Sequence, residues 1–454
     1  MIKKFRITIF IIYLVCLSGV SFAGDRLLDI QEVKSEKGIS AWLVEDHSLP
    51  IIALQFSFKQ VGSALDSKEN QGLAQLVSNT MDEGAGSYDS ATFQKMLTDH
   101  NISLHFSAGR DNFGGRLKLL TKNKDMAFDM LRLALTAPRF DAEPVERMRA
   151  ANLSRIRSSM ADSGWKASRL MNDIAFSGHP YALNSGGTLT TLQTITAQDL
   201  HDFVKTRFSL ENLRVGVMGD ITPEELKTAL DTIFGALPQN KALPVIQDLT
   251  VQNGGQTILY KQDIPQTMIE IMQPGIGRSH PDYYTGMVMN FILGSSGFGS
   301  RLTEEIREKR GLTYGINTAF YDLKHLQALT ASTSTKNESA AEVLVLIDTE
   351  WRKMMDGMVS DKELANAKSY LIGSFPLSLS ASDHIAALLL DLQLDDLPAD
   401  YLDKRADRIN AVTKEDIQAL AKKLLTPDKL TIVLVGKPVD VAPTKIVDVL
   451  PNVE

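Results

Sequence analysis

The chain repeats itself at a fixed distance, and nothing else in it restricts the possible fold as much. Ile195-Thr196-Ala197-Gln198-Asp199-Leu200 returns as Val412-Thr413-Lys414-Glu415-Asp416-Ile417. Continuing without a gap, Leu213-Arg214-Val215-Gly216-Val217-Met218-Gly219 meets Leu430-Thr431-Ile432-Val433-Leu434-Val435-Gly436, and the offset is 217 residues throughout. Each copy reads as a helix followed by a buried strand that ends at glycine. Thr196 and Thr413 are the expected N-caps, with Asp199 and Glu415-Asp416 in the first turn, where carboxylates meet free backbone amides. A repeat of this length implies two homologous halves. The boundary is expected between 237 and 255, where Pro238, Pro244, Gly254 and Gly255 interrupt regular structure. The halves are then residues 24–245 and 246–454.

Both halves mix helices with short alternating strands. In the first, the patterning predicts strands at 40–44, 51–58, 102–108 and 113–120, and helices at 73–81, 91–97, 143–159 and 167–176. In the second it predicts strands at 268–272, 314–321 and 326–334, helices at 283–293 and 301–310, and helices over most of 340–424. Asp282 is the expected cap of the helix from 283. Helices and paired strands in blocks predict an α+β fold. The expectation is two α/β sandwich domains, each a mixed or antiparallel sheet covered by helices.

Residues 1–23 read as a secretory signal peptide, with Lys3, Lys4 and Arg6, an apolar stretch, and Ser21-Phe22-Ala23 before the cut. The apolar stretch is shorter than the roughly 20 residues a membrane-spanning helix needs. Val15, before Cys16, does not suit a bacterial lipoprotein site. A soluble periplasmic or secreted product with no membrane span is therefore expected. The single Cys leaves with the leader, so the mature protein holds itself together through apolar cores and without disulfides. Cleavage removes three positive charges and takes the formal net charge from −7 to −10. No basic run offers a nucleic-acid surface.

Gly72-Leu73-Ala74-Gln75-Leu76-Val77-Ser78-Asn79 resembles the zinc-binding helix of the pitrilysin/insulinase family, which includes the mitochondrial processing peptidases. That family carries His-x-x-Glu-His there, and Gln75, Ser78 and Asn79 occupy the three chemical positions in this chain. Residues four apart share a helix face, and Leu73, Leu76, Val77, Thr80 and Met81 would bury the other side. Zinc takes imidazole, thiolate or carboxylate ligands, and none of the three side chains supplies one. The family's third ligand is a Glu on a later helix, and the spacing places Arg155 there, where a cation would repel the metal. No two of the eight His lie three or four apart, so no replacement site is expected. His179, in Gly178-His179-Pro180-Tyr181, is read as structural, and so are His100 and His105. The glycine-rich run 294–299 lacks the Lys-Ser/Thr of a phosphate loop.

The second half is the stronger match. Gln266-Thr267, His280-Pro281-Asp282, Asn290-Phe291-Ile292-Leu293-Gly294 and Leu371-Ile372-Gly373-Ser374-Phe375-Pro376-Leu377 all resemble family segments. Arg307-Glu308-Lys309-Arg310-Gly311-Leu312-Thr313-Tyr314 resembles the family's Arg/Tyr motif, which holds substrate backbone near the zinc of another half. The resemblance implies two pitrilysin/insulinase-type domains, of which 24–245 lacks the zinc site and 246–454 keeps Arg307 and Tyr314. It further implies the substrate-binding subunit of a heterodimeric zinc peptidase. This chain would carry no cofactor, and zinc would sit in a catalytic partner with the intact motif. Two alternatives stay open: a zinc-free peptide-binding or chaperone-like homodimer, and a structural subunit of an envelope complex.

Overall fold

The computed structural model describes residues 26–295 and 299–454. The expected signal peptide and Cys16 lie outside them, as does the centre of the glycine-rich run. The first sheet contains β1 (Gln31–Lys34), β2 (Ser40–Glu45), β3 (Ile51–Phe58), β4 (Ser103–Ala108), β5 (Phe113–Leu120) and β6 (Leu213–Gly219). The second contains β7 (Thr257–Lys261), β8 (Gln266–Pro274), β9 (Thr313–Leu323), β10 (Leu326–Lys336), β11 (Thr431–Gly436) and β12 (Lys445–Val447). Their orders are β1-β2-β6-β3-β5-β4 and β12-β7-β11-β8-β10-β9. Five positions correspond one to one, so the repeat in sequence is a repeat of topology. The first position breaks it, because β1 runs antiparallel to β2 whereas β12 runs parallel to β7. Both sheets are mixed, as the patterning predicts. Residues 237–256 form no helix or strand.

The helices of the first half are α1 (Leu73–Thr80), α2 (Ser90–Asp99), α3 (Lys124–Thr136), α4 (Ala142–Ser159), α5 (Ser163–Ala175), α6 (Thr191–Thr194), α7 (Ala197–Arg207) and α8 (Pro223–Phe234). Those of the second are α9 (Tyr283–Asn290), α10 (Ala340–Asp356), α11 (Asp361–Gly373), α12 (Ser382–Leu394), α13 (Arg405–Ala411) and α14 (Lys414–Leu424). The helices α7 and α14 begin at 197 and 414, which is the 217-residue offset again. Both start with the expected capping box. The Asp199 amide donates to the Thr196 hydroxyl at 3.3 Å and the Thr196 amide to the Asp199 carboxylate at 2.7 Å. Thr413 and Asp416 do the same at 3.1 and 2.9 Å.

Asp282 does not cap α9. An N-cap needs extended backbone to fold its side chain onto the next amides, and Asp282 has φ −88 and ψ 14 with no capping bond. The preceding histidine serves instead, since His280 Nδ1 accepts the Asp282 amide at 3.0 Å. A His-Pro turn at a different place in the first half is built alike: His179 Nδ1 accepts the Tyr181 amide at 3.1 Å, and its Nε2 donates to the Gln247 carbonyl at 2.9 Å. Of the two helices expected near 283–310, one passes into π-winding at Phe291–Ser295 and the other is π-wound over Thr303–Glu308.

The halves are not two self-contained sandwiches, because each lends a helix to the other's sheet. Helix α5 packs on β11 and β8, and α12 packs on β6, β3 and β2. Leu170, Met171 and Phe176 thereby join Ile258, Met272 and Val433 in one apolar cluster, and Ile385, Ala386 and Leu389 join Val44, Ala53 and Met218 in another. Both faces of each central strand are thus covered, which is why β6 and β11 read as nearly unbroken apolar runs. Among the described residues no helix is long and apolar enough to cross a membrane.

Candidate functional site

Helix α1 starts at Gly72, whose φ of 90 belongs to the left-handed region and whose Cβ position would fall 2.6 Å from the Gly187 backbone. The first turn is held by a residue eight positions upstream. Asp66, buried and paired with Arg207 at 3.1 Å, accepts the Ala74 amide at 3.0 Å. Burial pushes the Asp66 carboxyl up to about 6 despite the arginine. Leu73, Leu76, Val77, Thr80 and Met81 are all buried, as the stripe predicts.

The structure brings Gln75, Ser78 and Asn79 together on the other side of α1. Gln75 Nε2 donates to Ser78 Oγ and to Asn79 Oδ1, each at 3.2 Å, and Ser78 Oγ donates to the Gln75 carbonyl at 2.8 Å. The i, i+3, i+4 geometry of a metal helix is retained, but the donor set does not fit zinc. Two amides and a hydroxyl bring no charge, no imidazole and no group able to take a proton from water near neutral pH. Arg155 is exposed on α4, which packs against α1. Among the described residues it makes no hydrogen bond or ion pair, and it does not bond to the α1 trio. Asn152, one turn earlier, is buried with its amide nitrogen unbonded.

One carboxylate near this helix escaped the sequence reading. Asp82 follows Ser78 by four residues, and burial lifts its carboxyl to about 6. Its neighbour Glu83 is held by Arg147 of α4 at 2.7 Å.

Arg307 and Tyr314 lie on either side of a tight turn. Arg307 is in the π-wound segment, with Glu308 3.4 Å from its Nε, and its carbonyl accepts the Gly311 amide at 2.8 Å. Gly311 needs its φ of 63 to make that turn. Tyr314 is the second residue of β9, the edge strand of the second sheet, and is 88 % exposed. Thr313 pairs with Thr335 and Ile316 with Thr333, so Tyr314 and Gly315 together face Ser334 alone. That is a β-bulge, a device that re-aims a side chain.

Two buried threonines lock the bulge. The Thr313 hydroxyl donates to the Ser334 carbonyl at 2.8 Å and accepts the Gly315 amide at 3.2 Å. The Thr333 hydroxyl donates to the Gly315 carbonyl at 2.8 Å. Neither threonine was singled out in the sequence, where only the Thr313-Tyr314-Gly315 string hinted at a bulge. Tyr314 thus presents its hydroxyl to solvent from a fixed backbone.

Comparison with known proteins identifies the family. The model of the insulinase family, peptidase family M16, matches residues 52–187, and that of the peptidase M16 inactive domain matches residues 194–371. The chain is 29 % identical over 382 residues to the non-peptidase homolog YmxG of Helicobacter pylori, covering 83 % of this chain and 85 % of that one. It is 22 % identical over 401 residues to the mitochondrial-processing peptidase subunit beta of Saccharomyces cerevisiae, covering 84 % and 85 %. A crystal structure of a peptidase M16 inactive domain from Pseudomonas fluorescens superposes with a TM-score of 0.85 at 26 % identity, covering 92 % of this chain and 100 % of that one. Two family models that together span most of the chain, a shared fold and an α1 stripped of metal ligands lead to one conclusion: this chain belongs to the insulinase family, peptidase family M16, as a non-catalytic homologue.

Proposed function

We propose that this chain is the exported, substrate-holding subunit of a heterodimeric zinc peptidase. The observation that carries the reading is the contrast between two sites. The α1 face holds only neutral groups, whereas Tyr314 is displayed at 88 % exposure on a locked bulge seven residues from Arg307. In this reading hydrolysis occurs at zinc in a partner of the same family with an intact His-x-x-Glu-His. This chain's residues bind and orient: the Tyr314 hydroxyl donates to a peptide carbonyl, and the Arg307 fork donates beside it. The reading places no chemistry on Gln75, Ser78, Asn79 or Arg155. Export to the periplasm or beyond rests on the leader-like residues 1–23. The test is to mix the mature chain with a zinc-bearing relative from the same organism. A heterodimer by size, with peptide hydrolysis that neither chain shows alone, is expected. Two species that stay apart, with activity unchanged from the relative alone, refute the proposal.

A second reading, a zinc-free peptide-binding protein, has one observation in its favour. The α1 bonds use Gln75 Nε2 and Asn79 Oδ1, which leaves an amide oxygen and an amide NH2 on the same face. That pair is complementary to a peptide group. Peptide binding by the isolated chain that is lost in Asn79→Leu would favour it.

A further inference from the structure

The start of α9 opens on a groove of about 680 Å³ in the second half, walled by Tyr283, Tyr284, Tyr401 and Arg408, with Arg278 at its side. Three features there leave hydrogen-bond donors poorly satisfied. The first is the helix start. Asp282 makes no capping bond, the Asp282 and Tyr283 amides are taken by His280, and the first bond of α9 runs from the Gly286 amide to the Asp282 carbonyl. The amides of Tyr284 and Thr285 have no acceptor among the described residues.

The second feature is a pair of tyrosines. Tyr284 and Tyr401 are 8 % and 6 % exposed, their rings are 6.0 Å apart, and neither hydroxyl makes a well-formed hydrogen bond, the Tyr284 hydroxyl having only Tyr401 and Arg408 close by. Buried hydroxyls are nearly always bonded. The third is Arg408. Its guanidinium lies 5.5 Å from the centre of the Tyr284 ring and 5.1 Å from that of Tyr401, and among the described residues no carboxylate pairs with it. The acids near the groove are otherwise engaged: Asp400, whose carboxylate also feels Arg408, holds Lys404 at 2.8 Å. Asp395 holds Arg278 at 3.1 Å, and Asp416 is closed into the cap of α14 with Thr413. Asp282 stands 3.9 Å from both His280 Nδ1 and Lys423 Nζ.

We propose that this groove is an oxyanion-binding site, in which a carboxylate or phosphate group is gripped by Arg408, the Tyr401 and Tyr284 hydroxyls and the free amides of α9. Helix N-termini and guanidinium forks both suit such groups. Arg408 is exposed and lies over both rings. In this proposal Arg408 turns towards the anion and the two hydroxyls, now closed off from solvent, are uncovered. The site is remote in sequence from Arg307 and Tyr314 and does not depend on a peptidase partner.

The experiment is to titrate the mature chain with sodium phosphate and, separately, with sodium acetate at constant ionic strength. The readout is the ultraviolet difference spectrum of tyrosine. A saturable change is expected, and the anion that produces it at lower concentration identifies the ligand class as phosphate or carboxylate. Arg408→Gln removes an exposed side chain and should weaken binding by about tenfold or more, as loss of a charge-assisted contact does. Tyr401→Phe should weaken it several-fold, with circular dichroism confirming that both variants fold. A response that never saturates, or a saturable curve that Arg408→Gln leaves unchanged, overturns the proposal.

Discussion

Replacing Gly216 with alanine tests whether the exchanged helix α12 binds the two halves into one cooperative unit. A Cβ at position 216 would stand 2.4 Å from the Ala386 carbonyl oxygen, 2.9 Å from the Leu390 amide nitrogen and 3.0 Å from Leu389 Cβ. Two of these atoms are α12 backbone and the third is fixed to it, so no flexible side-chain end can yield. The helix must retreat by about 1 Å, an overpacking that costs roughly 1–3 kcal/mol. Retreat also stretches the bond from Gln393 Nε2 to the Val215 carbonyl, now 2.9 Å, and the Lys118–Asp383 pair, also 2.9 Å. Against this, glycine inside a strand is worse than alanine by roughly 0.5–1 kcal/mol. The clash outweighs that gain over nearly the whole range, and Gly216→Ala should destabilise by up to about 2.5 kcal/mol. The assay is urea unfolding followed by Trp351 fluorescence, in a parent whose other two tryptophans, Trp42 and Trp165, are replaced by Phe. Trp351 is buried in the second half, where its indole donates to Gln273 at 3.1 Å. A lesion in β6 of the first half should lower the midpoint reported by this distant probe. A variant at least as stable as the parent, or a Trp351 transition that does not move, would refute the coupling.

In the proposed peptidase pair, Arg307→Ala and Tyr314→Phe should each cut hydrolysis roughly a hundredfold, on the order of 3 kcal/mol, with dimer size unchanged; full activity in both rules out the clamp. Metal analysis of the isolated mature chain should find no stoichiometric zinc. Installing His, Glu and His at 75, 78 and 79 should not by itself produce a peptidase, because position 155 would still offer a cation. The raised pKa of Asp82 has a definite sign. The folded protein holds this proton more tightly than the unfolded chain, so stability falls as pH rises from about 4 to about 6 and is flat beyond. Urea midpoints across that range should show the wild type losing ground to Asp82→Asn, and parallel curves would contradict the assignment.

The elements that local chemistry fixes were legible in the sequence. The boxes at Thr196 and Thr413 need only four residues each, and β3 and β5 follow from alternation within themselves. The α1 trio was legible because helix geometry alone decides which side chains meet. What could not be read depends on partners remote in the chain. Nothing local in 163–175 or 382–394 says that each helix leaves its own half. The unbroken apolar runs of β6 and β11 record that both faces are covered but not by what. Asp282 misled because its type suits a cap, whereas the His-Pro turn before it fixes its backbone outside the extended region.

The two candidate sites stand in opposite relation to stability, and that difference orders the readings. On α1 the folding work is done by Leu73, Leu76, Val77, Thr80 and Met81, so the opposite face can carry Gln75, Ser78 and Asn79 with no loss to the core. Neutral side chains there cost the fold nothing and leave no metal chemistry. Tyr314 is the reverse. At 88 % exposure it buries too little surface to stabilise β9, yet two buried threonine hydroxyls fix the bulge that displays it. An aromatic side chain held rigidly in solvent gains nothing until something docks against it, and edge strand β9 supplies open backbone alongside. Thr333→Val separates the two contributions. It leaves the Gly315 carbonyl only the Thr313 hydroxyl, 2.9 Å away and shared with the Ser334 carbonyl, and so loosens the bulge while Tyr314 itself remains. If the bulge exists to aim Tyr314, peptide hydrolysis by the assembled pair should fall although the tyrosine is intact and the pair still forms. Unchanged hydrolysis with a loosened bulge would mean that the aim of Tyr314 does not matter, and the structural-subunit reading would then lead.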